Sequence, residues 1–227
     1  MAGRARQLGA AFALATLLGG CARVAPPPAP PAAAGDEFGW YRQAAAAGAK
    51  VLAIDPAQSL IAVNVRRGGP FARFGHDHLV ASRTITGFAA PAQGRADFSF
   101  RLDQMSVDDA ALRREAGLGA QPPEDAIAGT RANMLGRVLD AERFPVVSLH
   151  AERLAGQPVR LTITLHGVSR TVAAPAIIEE TADSVTASGT LQLRQSDYGI
   201  TPMSVLGGAM TVMDTLELRY RIVAKSR

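Results

Sequence analysis

The stretch PVRLTITLHGVSRTV, residues 158–172, decides the fold class of this chain. In its first half, apolar and polar residues alternate strictly from Val159 to Leu165. This period of two places all the apolar side chains on one face of an extended strand, as in a β-sheet that buries one face. The chain then passes through His166 and Gly167 into a second strand-like run. The stretch therefore predicts an antiparallel β-hairpin.

The same alternation returns along most of the chain. Its apolar rows are Ile61, Val63 and Val65; Phe98, Phe100 and Leu102; Val147 and Leu149; Val185, Ala187, Gly189, Leu191 and Leu193; and Leu216, Leu218, Tyr220 and Ile222. One segment differs, because residues 122–140 open with two prolines and two acids and then place Ile127, Met134 and Val138 on one helical stripe. Many strands and one helix predict an all-β domain, an extended antiparallel β-barrel of about eight strands with an inserted helix.

The apolar rows are expected to face the interior of this barrel. Transmembrane barrels carry aromatic girdles at both membrane interfaces, whereas aromatic residues make up only 5% of this chain. Small residues on one inward row, Ala187 and Gly189, leave room for a ligand chain. The alternative is a barrel that its own side chains fill completely.

The N-terminal part of the chain carries signals of export. Residues 1–20 join a short basic start to an apolar stretch that is too short to span a membrane as a mature helix, which is typical of a signal peptide. The stretch ends in Leu-Gly-Gly-Cys, which resembles a bacterial lipobox and predicts lipidation of Cys21, the only cysteine. Residues 21–35 then form a tether rich in proline and alanine. Residues 36–50 predict a short helical lead-in, and residues 51–227 form the barrel domain.

These signals predict a periplasmic lipoprotein, with a membrane as partner through its lipid anchor. By resemblance to bacterial lipoprotein sorting rules, Ala22 rather than an aspartate after Cys21 implies the inner leaflet of the outer membrane. The formal charge of +4 comes almost entirely from arginine, since only Lys50 and Lys225 are lysines. No run of basic residues interleaved with aromatics follows the signal peptide, so nucleic acid is excluded as a partner. Association into a homodimer is left open.

The stretch FGHDH, residues 74–78, holds two of the four histidines. If it is a strand, Phe74, His76 and His78 point to one face, which the phenylalanine marks as the inside. Both histidines would then face the cavity or its mouth. There they either bind the headgroup of a ligand or are satisfied by other groups of the protein, because a buried polar group needs a hydrogen-bond partner.

A metal site is the alternative for the histidine pair. Two histidines at i and i+2 on a strand can ligate zinc or copper if a neighbouring strand supplies a third ligand. His150 and His166 are the candidates, but each lies opposite an apolar inward row.

An enzyme is not predicted. No Gly-x-Ser-x-Gly motif is present, and nothing around Ser82, Ser106 or Ser196 singles out a nucleophile.

Several stretches, in the right order, resemble the YceI-like family of bacterial periplasmic proteins. They include VLAIDPAQSLIAVNV (51–65), ARFGHDHLVASRTITGFAA (72–90), LTITLHGVSRTV (161–172) and GTLQLRQSDYGITP (189–202). The second is similar to the branch of the family that carries a Gly-His-Asn/Asp-His motif. Many members have a histidine before the serine of the opening strand, where this chain has Gln58-Ser59, so no role of that histidine is carried over.

The resemblance implies a lipocalin-like barrel that carries a long apolar ligand and catalyses no reaction. The expected ligand is an isoprenoid, a quinone precursor or a fatty-acyl chain, held for storage or transport, with no other cofactor. The side chains expected to contact it are Phe74, His76, His78, Phe98, Phe100, Leu161, Ile163, Leu191, Leu193, Leu218 and Tyr220.

Overall fold

A computed structural model of the chain describes residues 37–226. The predicted signal peptide, Cys21 and the tether of residues 21–35 lie outside the described residues. The strands are β1 (Leu52–Ile54), β2 (Leu60–Val65), β3 (Arg67–Gly68), β4 (His78–Ser82), β5 (Thr86–Ala90), β6 (Arg95–Arg101), β7 (Ser106–Val107), β8 (Val146–Glu152), β9 (Val159–Leu165), β10 (Val168–Ala174), β11 (Ile177–Glu180), β12 (Ser184–Arg194), β13 (Ser204–Val205), β14 (Met210–Val212) and β15 (Thr215–Lys225).

Within residues 37–226, three α-helices accompany the strands. They are α1 (Gly39–Ala46), α2 (Ala110–Glu115) and α3 (Glu124–Ala132), and α3 continues into a π-helical stretch at Asn133–Val138. Short 3-10 turns lie at Ala72–Phe74, Pro91–Gln93, Leu102–Gln104, Gln195–Tyr198 and Leu206–Gly208.

One large antiparallel sheet contains most of the strands. Its order is β10-β9-β8-β6-β5-β1-β15-β2-β4-β7, while β12 pairs with the other edge of β15 and also carries β11. β10, at one end of this order, comes into contact with β12. The sheet therefore wraps around a single interior, although no β10–β12 ladder forms among the described strands. A second, small sheet, β13-β14-β3, adds to one end of this interior. The predicted antiparallel all-β architecture with an inserted helix is confirmed.

The predicted hairpin is formed by β9 and β10. Leu165 pairs with Val168, so His166 and Gly167 form a two-residue turn. Both have positive φ, 53° and 74°. Two positive φ angles define the type I′ turn that matches the twist of antiparallel strands.

The inserted helix lies where the apolar stripe predicts it, but a second helix precedes it. Asp109 caps α2, because its carboxylate accepts hydrogen bonds from the backbone N–H groups of Ala111 and Leu112, both at 3.0 Å. An aspartate before an Ala-Ala-Leu run is a typical helix start, so this helix could have been found from the sequence.

The lead-in helix α1 packs on the outer face of the sheet. Tyr41 is buried against Phe88, with ring centroids 5.7 Å apart, and its hydroxyl donates to Asp97 over 2.7 Å. Burial raises the pKa of Tyr41, and the neighbouring Asp97 carboxylate raises it further. The carboxylate of Asp97 also accepts from His150 Nδ1 over 2.5 Å. This network fixes the start of the barrel domain to β6 and β8. No helix within residues 37–226 is long and apolar enough to cross a membrane.

Candidate ligand-binding cavity

The wrapped sheet encloses a cavity of about 530 Å³. It exists because the inward rows of the strands meet across the interior without filling it. All of the side chains predicted to contact a ligand line this cavity, namely Phe74, His76, His78, Phe98, Phe100, Leu161, Ile163, Leu191, Leu193, Leu218 and Tyr220. Most of the remaining wall consists of valine, leucine, isoleucine, methionine and alanine side chains. The wall is therefore complementary to a hydrocarbon chain.

Polar side chains interrupt this wall mainly at one end. Arg67 and Thr211 come from the small sheet, His76 from the loop before β4, His78 from the first position of β4, and Thr130 from α3. His78, the first residue of β4, pairs with Val65, the last residue of β2. This end of the cavity therefore lies where β2 ends and β4 begins. We call it the mouth of the cavity. A ligand with an apolar chain and one polar end matches such a cavity.

His78 is held by the protein on both sides of its ring. Its Nδ1 atom lies 2.6 Å from Asp108 Oδ2, and its Nε2 atom lies 3.2 Å from Thr130 Oγ1. Because an ionised carboxylate can only accept, Nδ1 carries the proton, and in the neutral ring Nε2 accepts from the Thr130 hydroxyl. The histidine thus links β4 to α3.

Asp108 lies at the centre of a buried polar cluster beside the mouth. It is 2% exposed and accepts hydrogen bonds from the Leu79 N–H over 2.9 Å and from Arg113 Nη1 over 2.5 Å. Burial by itself raises the pKa of Asp108, but the hydrogen bonds from His78, Leu79 and Arg113 outweigh it and hold the pKa below its ordinary value. The residue is therefore a carboxylate whose negative charge is stabilised by His78, Leu79 and Arg113.

The backbone conformation of the FGHDH stretch, residues 74–78, differs from the predicted strand. The stretch is not one strand, because Ala72–Phe74 form a 3-10 turn and β4 begins only at His78. Phe74 is therefore not inside the barrel but 63% exposed at the mouth, where it still contributes to the cavity wall. The ring of His76 is also exposed at the mouth. The predicted alternation runs through Gly75, whereas the strand begins only at His78.

The geometry does not favour the histidine pair as a metal site. The ring centroids of His76 and His78 are 6.2 Å apart, and both nitrogens of His78 already face Asp108 and Thr130. Zinc needs three or four ligand atoms at about 2.0–2.3 Å. Among residues 37–226, no group of three or more His, Cys, Asp or Glu side chains could hold an ion. The two proposed third ligands lie elsewhere, since His150 contacts Asp97 and His166 Nδ1 lies 3.3 Å from the Tyr198 carbonyl oxygen.

The sequence matches the YceI-like domain over residues 52–224, which is most of the chain. The chain belongs to the YceI-like family. The Gly-His-Asp-His branch within that family stays a prediction. No curated protein sequence matches the chain significantly.

Two solved structures share the fold of this YceI-like domain. One is a polyisoprenoid binding domain from Saccharophagus degradans implicated in plant cell wall breakdown, with 11% identity and a TM-score of 0.55 over 78% of this chain and 100% of that one. The other is BcnA from Burkholderia cenocepacia, with 17% identity and a TM-score of 0.54 over 76% of this chain and 99% of that one. Each of those chains is matched almost completely, so the fold of this chain and of both solved structures is the same over the barrel.

The small residues of the YceI-like barrel do not all leave space. Ala187 lines the cavity, as expected. At Gly189, however, a Cβ atom would lie 2.3 Å from the carbonyl oxygen of Pro175 and 2.8 Å from the hydroxyl of Tyr220, and that hydroxyl donates to Pro175. The missing side chain of Gly189 therefore makes room for the hydrogen bond between Tyr220 and Pro175. The expectation that Gly189 leaves space for a ligand was wrong.

The serines considered as nucleophiles have no histidine partner. Ser106 Oγ donates to the carbonyl oxygen of Ala81 over 3.4 Å, and Ser196 Oγ lies 2.6 Å from Asp214 Oδ2. Ser82 is buried, and its hydroxyl has no partner among the described residues.

Several side chains of the cavity were missed by sequence reasoning. They are Met105, Thr130, Asn133, Met203, Met210 and Thr211. Thr130 and Asn133 lie on the helical segment, where the sequence pattern singles out only the apolar stripe. Met203 and Met210 lie in or beside strands of two or three residues, which are too short for any period to be visible.

Proposed function

We propose that this YceI-like barrel binds a long apolar ligand, an isoprenoid or fatty-acyl chain, in its cavity. The observation that carries the proposal is the hydrocarbon wall around about 530 Å³ of space. A cavity of a few hundred cubic ångströms with few, clustered polar groups is typical of small-molecule binding sites. The structurally similar domain from Saccharophagus degradans, described as polyisoprenoid binding, supports the same ligand class.

The polar mouth orients the proposed ligand. Since His78 is engaged by Asp108 and Thr130, His76 is the histidine whose exposed ring is available to a headgroup. The quinone-type carbonyl, phosphate or carboxylate of the ligand would accept a hydrogen bond there. The apolar chain would then extend along Phe98, Leu161 and Leu191. The role is storage or transport, without a catalytic step and without a further cofactor.

The location proposed for this carrier is the periplasm. The lipobox-like end of the signal peptide supports anchoring through a lipid on Cys21, and the proline-rich tether supports a domain that stands away from the outer membrane. Incorporation of labelled palmitate into the full chain, and its loss in Cys21→Ser, tests this anchor separately from ligand binding.

A direct test of ligand binding is a fluorescence titration. The domain is stripped of lipid with organic solvent, refolded, and titrated with cis-parinaric acid, whose emission rises in an apolar site. Saturable binding at one site per chain supports the proposal. A linear, unsaturable response, in a domain whose circular dichroism matches the untreated protein, would refute it.

A further inference from the structure

An exposed apolar surface adjoins the mouth of the cavity. The turn between β13 and β14 presents Leu206, which is 70% exposed, and the neighbouring 3-10 turn presents Phe71 and Phe74. The two turns are joined, because the backbone N–H of Phe71 donates to the carbonyl oxygen of Ala209 over 2.8 Å. The rings of Phe71 and Phe74 are 6.0 Å apart. We call Phe71, Phe74 and Leu206 the mouth patch. An exposed apolar cluster of this kind marks an interaction site.

The composition and backbone of the mouth patch are unusual for a surface turn. Residues 203–213 contain no charged side chain. Leu206 also has a positive φ of 54°, a conformation that a leucine adopts at a cost and that glycine or asparagine would adopt more easily. The chain therefore keeps a strained, solvent-exposed leucine where a polar residue would suit the isolated domain better. Strained residues of this kind cluster at functional sites.

Arginines flank the mouth patch. Arg66, Arg67 and Arg73 lie in the same segment as Phe71 and Phe74, with Asp77 as its only acid. Arg66 and Arg67 share Asp77, and Arg66 also pairs with Glu217 over 3.6 Å. Arg73 has no ion pair among the described residues and lies over the ring of Phe74, 4.4 Å from its centroid. Phenylalanine and leucine side chains beside arginine suit the interface of an anionic bilayer. There, apolar side chains enter the boundary between headgroups and acyl chains, and arginine meets phosphate.

We propose that the mouth patch docks the domain on an anionic phospholipid bilayer. This inference rests on the proposed function, because a ligand of hydrocarbon character is scarcely soluble in water and has to reach the cavity from a membrane. Phe74 connects the two features directly, since it is exposed in the patch and also lines the cavity. Docking there lets the apolar chain pass from the bilayer into the barrel without crossing water.

The test uses residues 37–227 and flotation with vesicles of phosphatidylcholine, with or without 30% phosphatidylglycerol. This unit contains every described strand of the barrel and both hydrophobic clusters that form its core. The double variant Phe71→Ser, Leu206→Asn removes two side chains that do not line the cavity, and Asn tolerates the positive φ. The matched control is Ile177→Ser, which removes another exposed side chain, on β11. Binding of cis-parinaric acid and thermal unfolding are measured for every protein.

We expect the wild type and Ile177→Ser to float with the anionic vesicles, and the bound fraction of the double variant to fall at least tenfold. Arg73→Gln is expected to reduce the preference for phosphatidylglycerol about fivefold, the effect of one arginine near an anionic surface. Parinaric acid binding should be equal in all four proteins.

Three results would overturn the docking surface. The first two are a double variant that floats like the wild type and an Ile177→Ser variant whose bound fraction falls as far as that of the double variant. A wild-type dimer that the double variant converts to monomer, without any change in flotation, would show that the patch binds a second copy and would also overturn it. Flotation that depends on the patch in a domain that binds no parinaric acid would support docking and refute only the proposed function.

Discussion

The Nδ1 atom of His78 lies 2.6 Å from Oδ2 of Asp108, and this contact separates the roles of the two neighbouring histidines. Asp108 follows β7, and its main-chain N–H donates to the carbonyl oxygen of Leu79 over 2.7 Å. The pair therefore joins β4 and β7 beside the mouth, and Thr130 adds α3 to the same junction. His78 stabilises the wall of the cavity, whereas His76 remains exposed at its opening.

The two histidines are expected to differ in their effect on stability. His78→Ala leaves the buried Asp108 with one hydrogen bond fewer and should lower the free energy of unfolding by about 1–3 kcal/mol. His76→Ala removes an exposed ring and should change it by less than about 0.5 kcal/mol. Urea unfolding of both variants measures the difference. Equal effects would mean that the Asp108 contact does not stabilise the domain.

Removing the charge of Asp108 should change the acid stability of the domain. Its pKa in the folded state is lowered, so the carboxylate contributes stability above the ordinary pKa of about 3.9, and this contribution disappears as the pH falls through the folded value. Asp108→Asn keeps the shape and tolerates the φ of 55°. It should cost about 3 kcal/mol or more at pH 7, because Arg113 loses its buried partner, and much less near pH 3.

The control for this prediction is Asp103→Asn. The pKa of Asp103 is also lowered, chiefly by the hydrogen bond from Arg101, but its side chain is exposed. Ion pairs at the surface contribute little to stability. Between pH 2.5 and 7, the free energy of unfolding should therefore depend less steeply on pH in Asp108→Asn than in the wild type. Asp103→Asn should follow the wild type. The same pH dependence in both variants would contradict the claim that the buried cluster around Asp108 stabilises the domain.

Gly87 should not tolerate a side chain. Its φ is 152°, and a Cβ atom would lie 2.2 Å from the carbonyl oxygen of Asp97 and 2.5 Å from Cα of Phe98, both on the paired strand β6. Because backbone atoms cannot move aside without breaking the ladder, Gly87→Ala should cost about 2–3 kcal/mol or more. Gly129→Ala is the matched change on α3, where nothing lies within 4 Å, and should stabilise by up to about 1 kcal/mol. Thermal unfolding that ranks the two in the opposite order would contradict the register of β5 and β6.

A larger side chain at Ala187 should block the proposed ligand. Ala187 lines the cavity, whereas Gln192 lies on the same strand and is exposed on its other face. Ala187→Phe should weaken cis-parinaric acid binding at least tenfold, since the ring would occupy the ligand's space. Gln192→Phe should leave the affinity unchanged. If both variants bind like the wild type while remaining folded, the ligand does not bind in this part of the barrel.

The sequence predicts the parts of this molecule in which neighbours along the chain set the structure. Phe98, Leu161 and Leu191 face the cavity because a strand alternates its faces regardless of its partners. The inserted helix follows in the same way from its apolar stripe.

The other features of the candidate site depend on contacts between segments that are distant in sequence. The partnership of His78 with Asp108 and Thr130 joins residues that are 30 and 52 positions apart, and no local pattern encodes it. Phe74 was placed inside because alternation was extended through a 3-10 turn. The mouth patch was missed because strands as short as β13 and β14 have no visible period.

Native mass spectrometry of the folded domain, residues 37–227, purified from a bacterial host without denaturation, tests the central claim most directly. The account predicts an adduct of several hundred daltons that organic solvent removes and that fragments as a prenyl or acyl chain, and it predicts that Ala187→Phe lacks this adduct. A bare protein mass that stays bare after incubation with isoprenoid and fatty-acyl lipids would contradict the carrier function. A mass shift of one metal ion, lost with a chelator and in His76→Ala, would replace it with the metal-binding alternative.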